Sequence, residues 1–338
     1  MRIGILGATG MLGHHSANAV RAAGHELLVL HRVGAKLDRL GELKFGTRVA
    51  DLDQPATLLP ALRGLDGVIN AAAYYPTVPR PWRDDVADGL RQMQAFYDAC
   101  AQAHVARVVY VGGSIALRRD PKGLPGNETL VQTHEPDDKA PYVQVKWALD
   151  RLAHERAAGG LPVITAIPTM SFGEHDWGPT TGRLLVELAN RTLAGYVAGD
   201  RNVVYAGDAG RGILASLERG RPGERYLIGG HNVAMADLVA RMAAIAGAPA
   251  PRAIPLPVAR AAAKMQALRY HLIGGAAPKL SETAIAIMAS GQFLDCSKAQ
   301  RELGYSAKVG IDEMLTRAFT WFRSIGYINT GGQVGVSV

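Results

Sequence analysis

The sequence predicts an α/β protein built on a doubly wound parallel sheet, followed by a smaller, mainly helical part. Three observations carry this. Strand-like and helix-like segments alternate through the first half. The strands are near-continuous apolar runs, as strands buried on both faces are. A glycine-spaced turn, Gly7-Ala8-Thr9-Gly10-Met11-Leu12-Gly13, joins the first strand to the first helix.

The elements follow in order. Arg2 to Leu6 reads as a short buried strand, and Leu12 to Ala23 as a helix stopped by Gly24. Glu26 to His31, Thr47 to Asp51, Gly67 to Ala71 and Arg107 to Gly112 read as the next four strands. A long helix is expected from about Arg83 to His104, another from about Pro141 to Ala158, then a strand from Pro162 to Ile167. The second half is less regular. A helix is expected over Gly178 to Leu193, strands over Asn202 to Ala206 and Arg225 to Ile228, and a helix from about Asp208 to Arg219 between them. From Ala234 onward the chain is mostly helical, with candidates at Met235 to Ala246, Pro257 to His271, Ser281 to Ser290, Ser297 to Leu303 and Ile311 to Ile325.

Composition narrows the function classes. The chain has 338 residues, 48% of them hydrophobic, ample for a buried core. The net charge of +7 is scattered, without a run of five like charges, so no nucleic-acid partner is expected. Cys100 and Cys296 form no metal-ligand spacing, and the ten histidines show no ligand pattern; His14 and His15, adjacent on a helix, point apart. No metal site is expected. No stretch approaches the roughly 18 apolar residues of a membrane span, and Met1 runs almost directly into a strand, so neither a membrane partner nor a signal peptide is expected. A cytoplasmic protein is the expectation, with a homodimer allowed.

The glycine turn sits where a doubly wound fold holds a dinucleotide pyrophosphate. Gly7 permits the tight turn, Gly10 lets backbone approach phosphate, and Gly13 lets helix pack on strand, with Thr9, Met11 and Leu12 completing the loop. The helix N-terminus adds N–H groups and partial positive charge. At the end of the second strand, where a carboxylate would bond a ribose 2′-hydroxyl, stand His31 and Arg32. Arg32 suits a 2′-phosphate, helped by His31 or Lys36, so NADP(H) is favoured and NAD(H) left open. Asp51, followed by Leu52, is placed to accept from the adenine amino group. Ala71, Ala72 and Ala73 end the fourth strand and leave room for the cofactor.

Tyr142 and Lys146 lie four residues apart, on one face of the expected helix. An ammonium beside a phenol lowers the phenol pKa from about 10. So tuned, Tyr142 can trade a proton with an alcohol or carbonyl oxygen near neutral pH.

Together these residues resemble the extended short-chain dehydrogenase/reductases. The match rests on the Gly7–Gly13 loop, on Gly112-Gly113-Ser114, and on Tyr142-x-x-x-Lys146. It extends through Ile167-Pro168-Thr169-Met170-Ser171-Phe172-Gly173 to Asp295-Cys296-Ser297-Lys298-Ala299 and Leu303-Gly304-Tyr305. The resemblance implies a Rossmann domain over residues 1–170, rejoined by about 202–230. It implies a substrate-binding domain from 171–201 and 231–328; the tail 329–338 is expected to be mobile. It makes Tyr142 the acid/base, Lys146 the residue that tunes it and holds the nicotinamide ribose, and Ser114 the hydrogen-bond partner of the reacting oxygen. Pro168 would lie near the carboxamide. Tyr74, Ser114, Thr169 and Arg183 are the candidate substrate contacts; Arg191 and Arg201 also lie in the substrate region.

The family contains ketone reductases resembling dihydroflavonol-4-reductase and nucleoside-diphosphate-sugar epimerases, which share these residues. Two departures from the epimerase pattern lean toward a reductase: Arg32 replaces an acidic residue, and Ile167-Pro168-Thr169-Met170 lacks an Asn that helps bind the diphosphate. A catalytically silent redox-sensing protein is the alternative of another class; intact Ser114, Tyr142 and Lys146 argue against it.

Overall fold

The computed structural model describes residues 1–72, 74–76, 78–273 and 282–329. Seven parallel strands form the main sheet: β1 (Arg2–Leu6), β2 (Glu26–His31), β3 (Gly46–Val49), β4 (Gly67–Asn70), β5 (Arg107–Val111), β6 (Val163–Pro168) and a distant β9 (Arg225–Ile228). Their order is β3-β2-β1-β4-β5-β6-β9, so the order of strand addition reverses between β1 and β4. Ligands of open α/β sheets bind beyond the strand ends at such a crossing point.

Alternation along each strand feeds two cores. Ile3, Ile5, Leu27, Val29, Ile69 and Val109 face α1 (Met11–Ala22) and α6 (Ala206–Arg219). Leu28, Leu30, Val68, Val108 and Tyr110 face α3 (Trp82–Gln102) and α4 (Pro141–Ala158). The sheet is thus covered on both sides, as its apolar runs require. The Rossmann-type fold read from the sequence is the one observed.

The second half departs from expectation in three ways. β8 (Asp200–Tyr205) does not return to the main sheet; it lies between β7 (Met170–Phe172) and β10 (His231–Ala234) in a second, three-stranded sheet. The return to the main sheet comes only with α6 and β9. β7 and β10, of three and four residues, are too short to show a period. The helix expected over 178–193 is only α5 (Arg183–Ala189). The Asp176 carboxylate accepts the N–H groups of Thr180 and Gly182 and holds the preceding residues in a turn, and Arg191 ends the segment at φ 57°. A short helix, α2 (Leu58–Leu62), was also not foreseen.

The remaining helices are α7 (Met235–Ala246), α8 (Leu256–Ile273), α9 (Glu282–Ala289), α10 (Ser297–Leu303) and α11 (Ile311–Ser324). α7 and α11 pack with α5 on the small sheet through Leu185, Val203, Leu238, Met242, Met314 and Phe322. No described helix is long and apolar enough to cross a membrane. The sequence tail lies, apart from Asn329, outside the described residues.

Candidate active site

The glycine turn forms the floor. Gly7 adopts φ 82°, and a Cβ there would lie 2.9 Å from the carbonyl carbon and oxygen of Ala71 on the neighbouring strand end. A Cβ on Gly13 would collide with the Gly7 carbonyl, so this glycine sets how closely α1 approaches β1. Gly10 differs: a Cβ there would meet only the Gly7 oxygen, at 3.5 Å, so the space above it is open. No side chain caps α1, which leaves its first-turn N–H groups directed at that space. Thr9, Met11 and Leu12 are half-buried around it. An open cradle with uncapped N–H groups fits a pyrophosphate.

The rest of the expected cofactor surface is uneven. Arg32 is exposed at the end of β2 and forms no ion pair among the described residues; His31 Nδ1 is bonded to the Arg32 carbonyl at 3.0 Å. Asp51 is partly spent on its own turn, where Oδ1 accepts the Asp53 N–H at 3.0 Å, while Leu52 is buried. Buried Asn70 accepts the Ala72 N–H and fixes the Ala71-Ala72 strand end; Ala73 lies outside the described residues. Pro168 is buried at the end of β6. Next to it the Thr169 hydroxyl is buried without a hydrogen-bond partner among the described residues, so it has bonding capacity to offer a bound group.

Pro141 starts α4, where a missing N–H costs nothing. One turn brings Tyr142 and Lys146 to the same side. An added Cβ on Gly113 would lie 3.6 Å from the Tyr142 hydroxyl and 3.7 Å from Lys146 Cδ, so both side chains rest against the end of β5. A Cβ at 113 would make ordinary van der Waals contact with both. Ser114 follows at once, half-buried in a single 3-10 turn. Tyr142 and Lys146 thus meet at the end of β5, beside the residue that precedes Ser114.

The electrostatics differ from the expectation. Burial, with Tyr75 as a lesser cause, pushes the Tyr142 phenol well above its ordinary value instead of lowering it. Burial also lowers Lys146 to about 8. Its Nζ lies over the Tyr142 ring, 5.7 Å from the centroid, and 6.0 Å from that of Tyr110. The cation therefore sits against ring faces, and desolvation outweighs any help it gives the phenolate.

Two candidate substrate contacts are otherwise engaged. The Tyr74 hydroxyl donates to Asp85 at 2.7 Å and accepts from Arg80, which also pairs with Asp85 and Asp88; this ties the 74–80 segment to α3. Its neighbour Tyr75, half exposed, is the one that meets Tyr142, with ring centroids 5.0 Å apart. The sequence analysis missed Tyr75; adjacent tyrosines in a loop have no period to tell them apart. Arg183 is exposed and paired with Glu187 at 2.9 Å. Arg201 is buried; its guanidinium donates to the carbonyls of Asp200 and Met288. Also missed was Gln144, whose amide bonds the carbonyls of Pro136 and Asp138 and anchors the preceding loop to α4.

His14 and His15 do not simply point apart into separate surroundings. A third residue from far along the chain, His175, stacks on His14 at 3.5 Å and meets His15 edge-on at 5.7 Å. Burial first, then neighbouring histidines, lowers His14 to about 3, so the group packs as neutral rings. Among the described residues no cluster could hold a metal ion.

Comparison with known proteins fits this geometry. Residues 3–229 match the profile of the NAD dependent epimerase/dehydratase family. The chain is 27% identical to a putative dihydroflavonol 4-reductase of Synechocystis sp., over 96% of each protein. It is 46% identical to a solved nucleoside-diphosphate-sugar epimerase from Pseudomonas aeruginosa, with a TM-score of 0.85 over 97% of this chain and 99% of that one. The UDP-glucuronic acid 4-epimerase of Bacillus cereus, solved with UDP-glucuronic acid and NAD, shares the fold at 19% identity, with a TM-score of 0.73 over 96% of this chain and 100% of that one.

Proposed function

The chain belongs to the NAD dependent epimerase/dehydratase family, and on that premise we propose that it interconverts a ketone and a secondary alcohol, with NADP(H) the favoured cofactor and NAD(H) the alternative. What supports this is that Tyr142 and Lys146 rest together against Gly113, next in sequence to Ser114, while the Gly10 turn at the start of α1 stays open and uncapped. The cofactor supplies or accepts the hydride. The chain's own residues manage the proton. A phenol kept protonated by burial is a donor, which suits Tyr142 to protonating the oxygen of a carbonyl undergoing reduction. Ser114 holds the same oxygen. Lys146 holds the ribose through its ammonium. Incubation of a ketone panel with NADPH deuterated at the transferable position tests this: the alcohol carbon of the product should carry the label. An unlabelled alcohol would refute it.

Reduction is favoured over epimerisation of a nucleotide sugar because two of the three arginines of the expected substrate region are already committed. Arg183 is paired with Glu187, and Arg201 spends its N–H groups on backbone carbonyls. The segment after β6 has no Asn to meet a diphosphate. The second reading, an epimerase, draws its support from likeness to the 46% identical nucleoside-diphosphate-sugar epimerase of P. aeruginosa.

Arg32 supports the cofactor preference, because it is exposed at the end of β2 and unpaired among the described residues. Replacing it with Ala should weaken NADPH binding roughly ten- to a hundred-fold, the worth of one charge-assisted hydrogen bond, and leave NADH binding nearly unchanged. Titration of both cofactors checks this; equal losses would remove Arg32 from the 2′-phosphate.

Lys146 gives a pH signature. Its pKa falls from 10.5 to about 8 on folding. Between those values the unfolded chain binds the extra proton, so stability should rise with pH across this window. Cofactor affinity should fall over the same window as the ribose-holding ammonium is lost. Fluorescence titration should show the decline in the wild type and none in Lys146→Met; an identical decline in the variant would assign it to another group.

A further inference from the structure

α8 carries an apolar face that no described residue covers. Its inner face is small: Ala259 and Ala263 are buried against Val197 and Ile285. Its outer face is large. Val258, Met265, Leu268 and Leu272 are 57%, 71%, 59% and 75% exposed, and with exposed Ala261 they fall at spacings of three and four, which is one continuous stripe. Soluble proteins rarely leave such a stripe in water without a use for it.

The charge pattern indicates what covers it. The sequence of α8, LPVARAAAKMQALRYHLI, contains no Asp or Glu. Lys264 and Arg260 border the stripe on one side and Arg269 on the other, all three exposed and without an ion pair among the described residues. An apolar stripe bordered by cations can lie in a lipid interface, with the stripe in the acyl boundary and the cations at headgroup level. A second copy of the chain fits less well. A stable protein interface takes roughly 20–30 residues a side, and like-charged borders would face each other.

We propose that α8 docks on an anionic lipid surface. The chain would then associate with membranes peripherally, a mode that the expectation of no membrane partner did not include. The surface is tied to the reaction centre through α9, which packs beside α8 and whose Ala286 meets Ala140 and Val143 around Tyr142.

Sedimentation of the full chain with vesicles tests this. Binding is expected to vesicles of phosphatidylcholine mixed with phosphatidylglycerol, weakly if at all to phosphatidylcholine alone, and should decline with salt. Met265→Glu together with Leu268→Glu should abolish it. Lys264→Gln and Arg269→Gln should each weaken it roughly five-fold. Unchanged cofactor affinity in every variant reports an intact fold. The proposal is overturned if the wild type stays in the supernatant with the mixed vesicles, or if the variants sediment as it does. It falls equally if, without vesicles, the chain self-associates through a contact that Leu268→Glu breaks.

Discussion

Tyr142→Phe is expected to lower turnover about 100- to 10,000-fold, the usual contribution of a positioned acid/base, and to leave cofactor affinity almost unchanged. The phenol rests against Gly113 at the end of β5, beside Lys146, and burial keeps it protonated. Phe preserves its ring contacts with Tyr75 and removes only the proton. Steady-state turnover with parallel cofactor titration makes the check. A variant keeping more than about a tenth of wild-type turnover would fall outside that range and remove Tyr142 from the acid/base role. Weakened cofactor binding would instead mark it as a nucleotide contact.

Asp150→Ala should produce the largest loss of stability. Asp150 lies two turns beyond Tyr142 on α4 and grips Arg225 of β9 through Nε at 3.0 Å and Nη2 at 2.7 Å, with both side chains about nine-tenths buried. The pair fixes α4, which carries Tyr142 and Lys146, to the last strand of the main sheet. Removing the carboxylate strands a buried guanidinium, which costs about 3–5 kcal/mol. Urea unfolding should show a lower midpoint with an unchanged slope. Adding Arg225→Met should recover much of the loss, because a packed apolar pair replaces a buried ion pair at little cost. A single-variant loss below about 1 kcal/mol, the range of exposed pairs, would mean that water reaches Arg225.

The main sheet was legible in the sequence because its strands are apolar runs punctuated by glycine, and both properties are local. Gly7 and Gly13 were readable for the same reason: each is required by a backbone contact within the β1–α1 turn or with the next strand. What stayed hidden depends on partners far along the chain. β8 looks like any short strand; its place in the small sheet is set by Met170 and His231, both opposite Val203. α5 is short because Asp176 holds the turn before it, which no helical period reveals. The meeting of Tyr142 and Lys146 followed from helical spacing, but the direction of the phenol's shift did not, since it depends on how deeply both groups are buried. Tyr74 and Tyr75 were separable only once Arg80 and Asp85 were seen to claim the first.

The central claim is net hydride transfer to a ketone, and absorbance of the reduced nicotinamide tests it most directly. The chain is incubated with NADPH and, in parallel, with panels of ketones and of nucleotide sugars. The account predicts stoichiometric loss of absorbance with a ketone and none with the sugars. Conversion of a nucleotide sugar to its epimer, with no net change in absorbance, would contradict it.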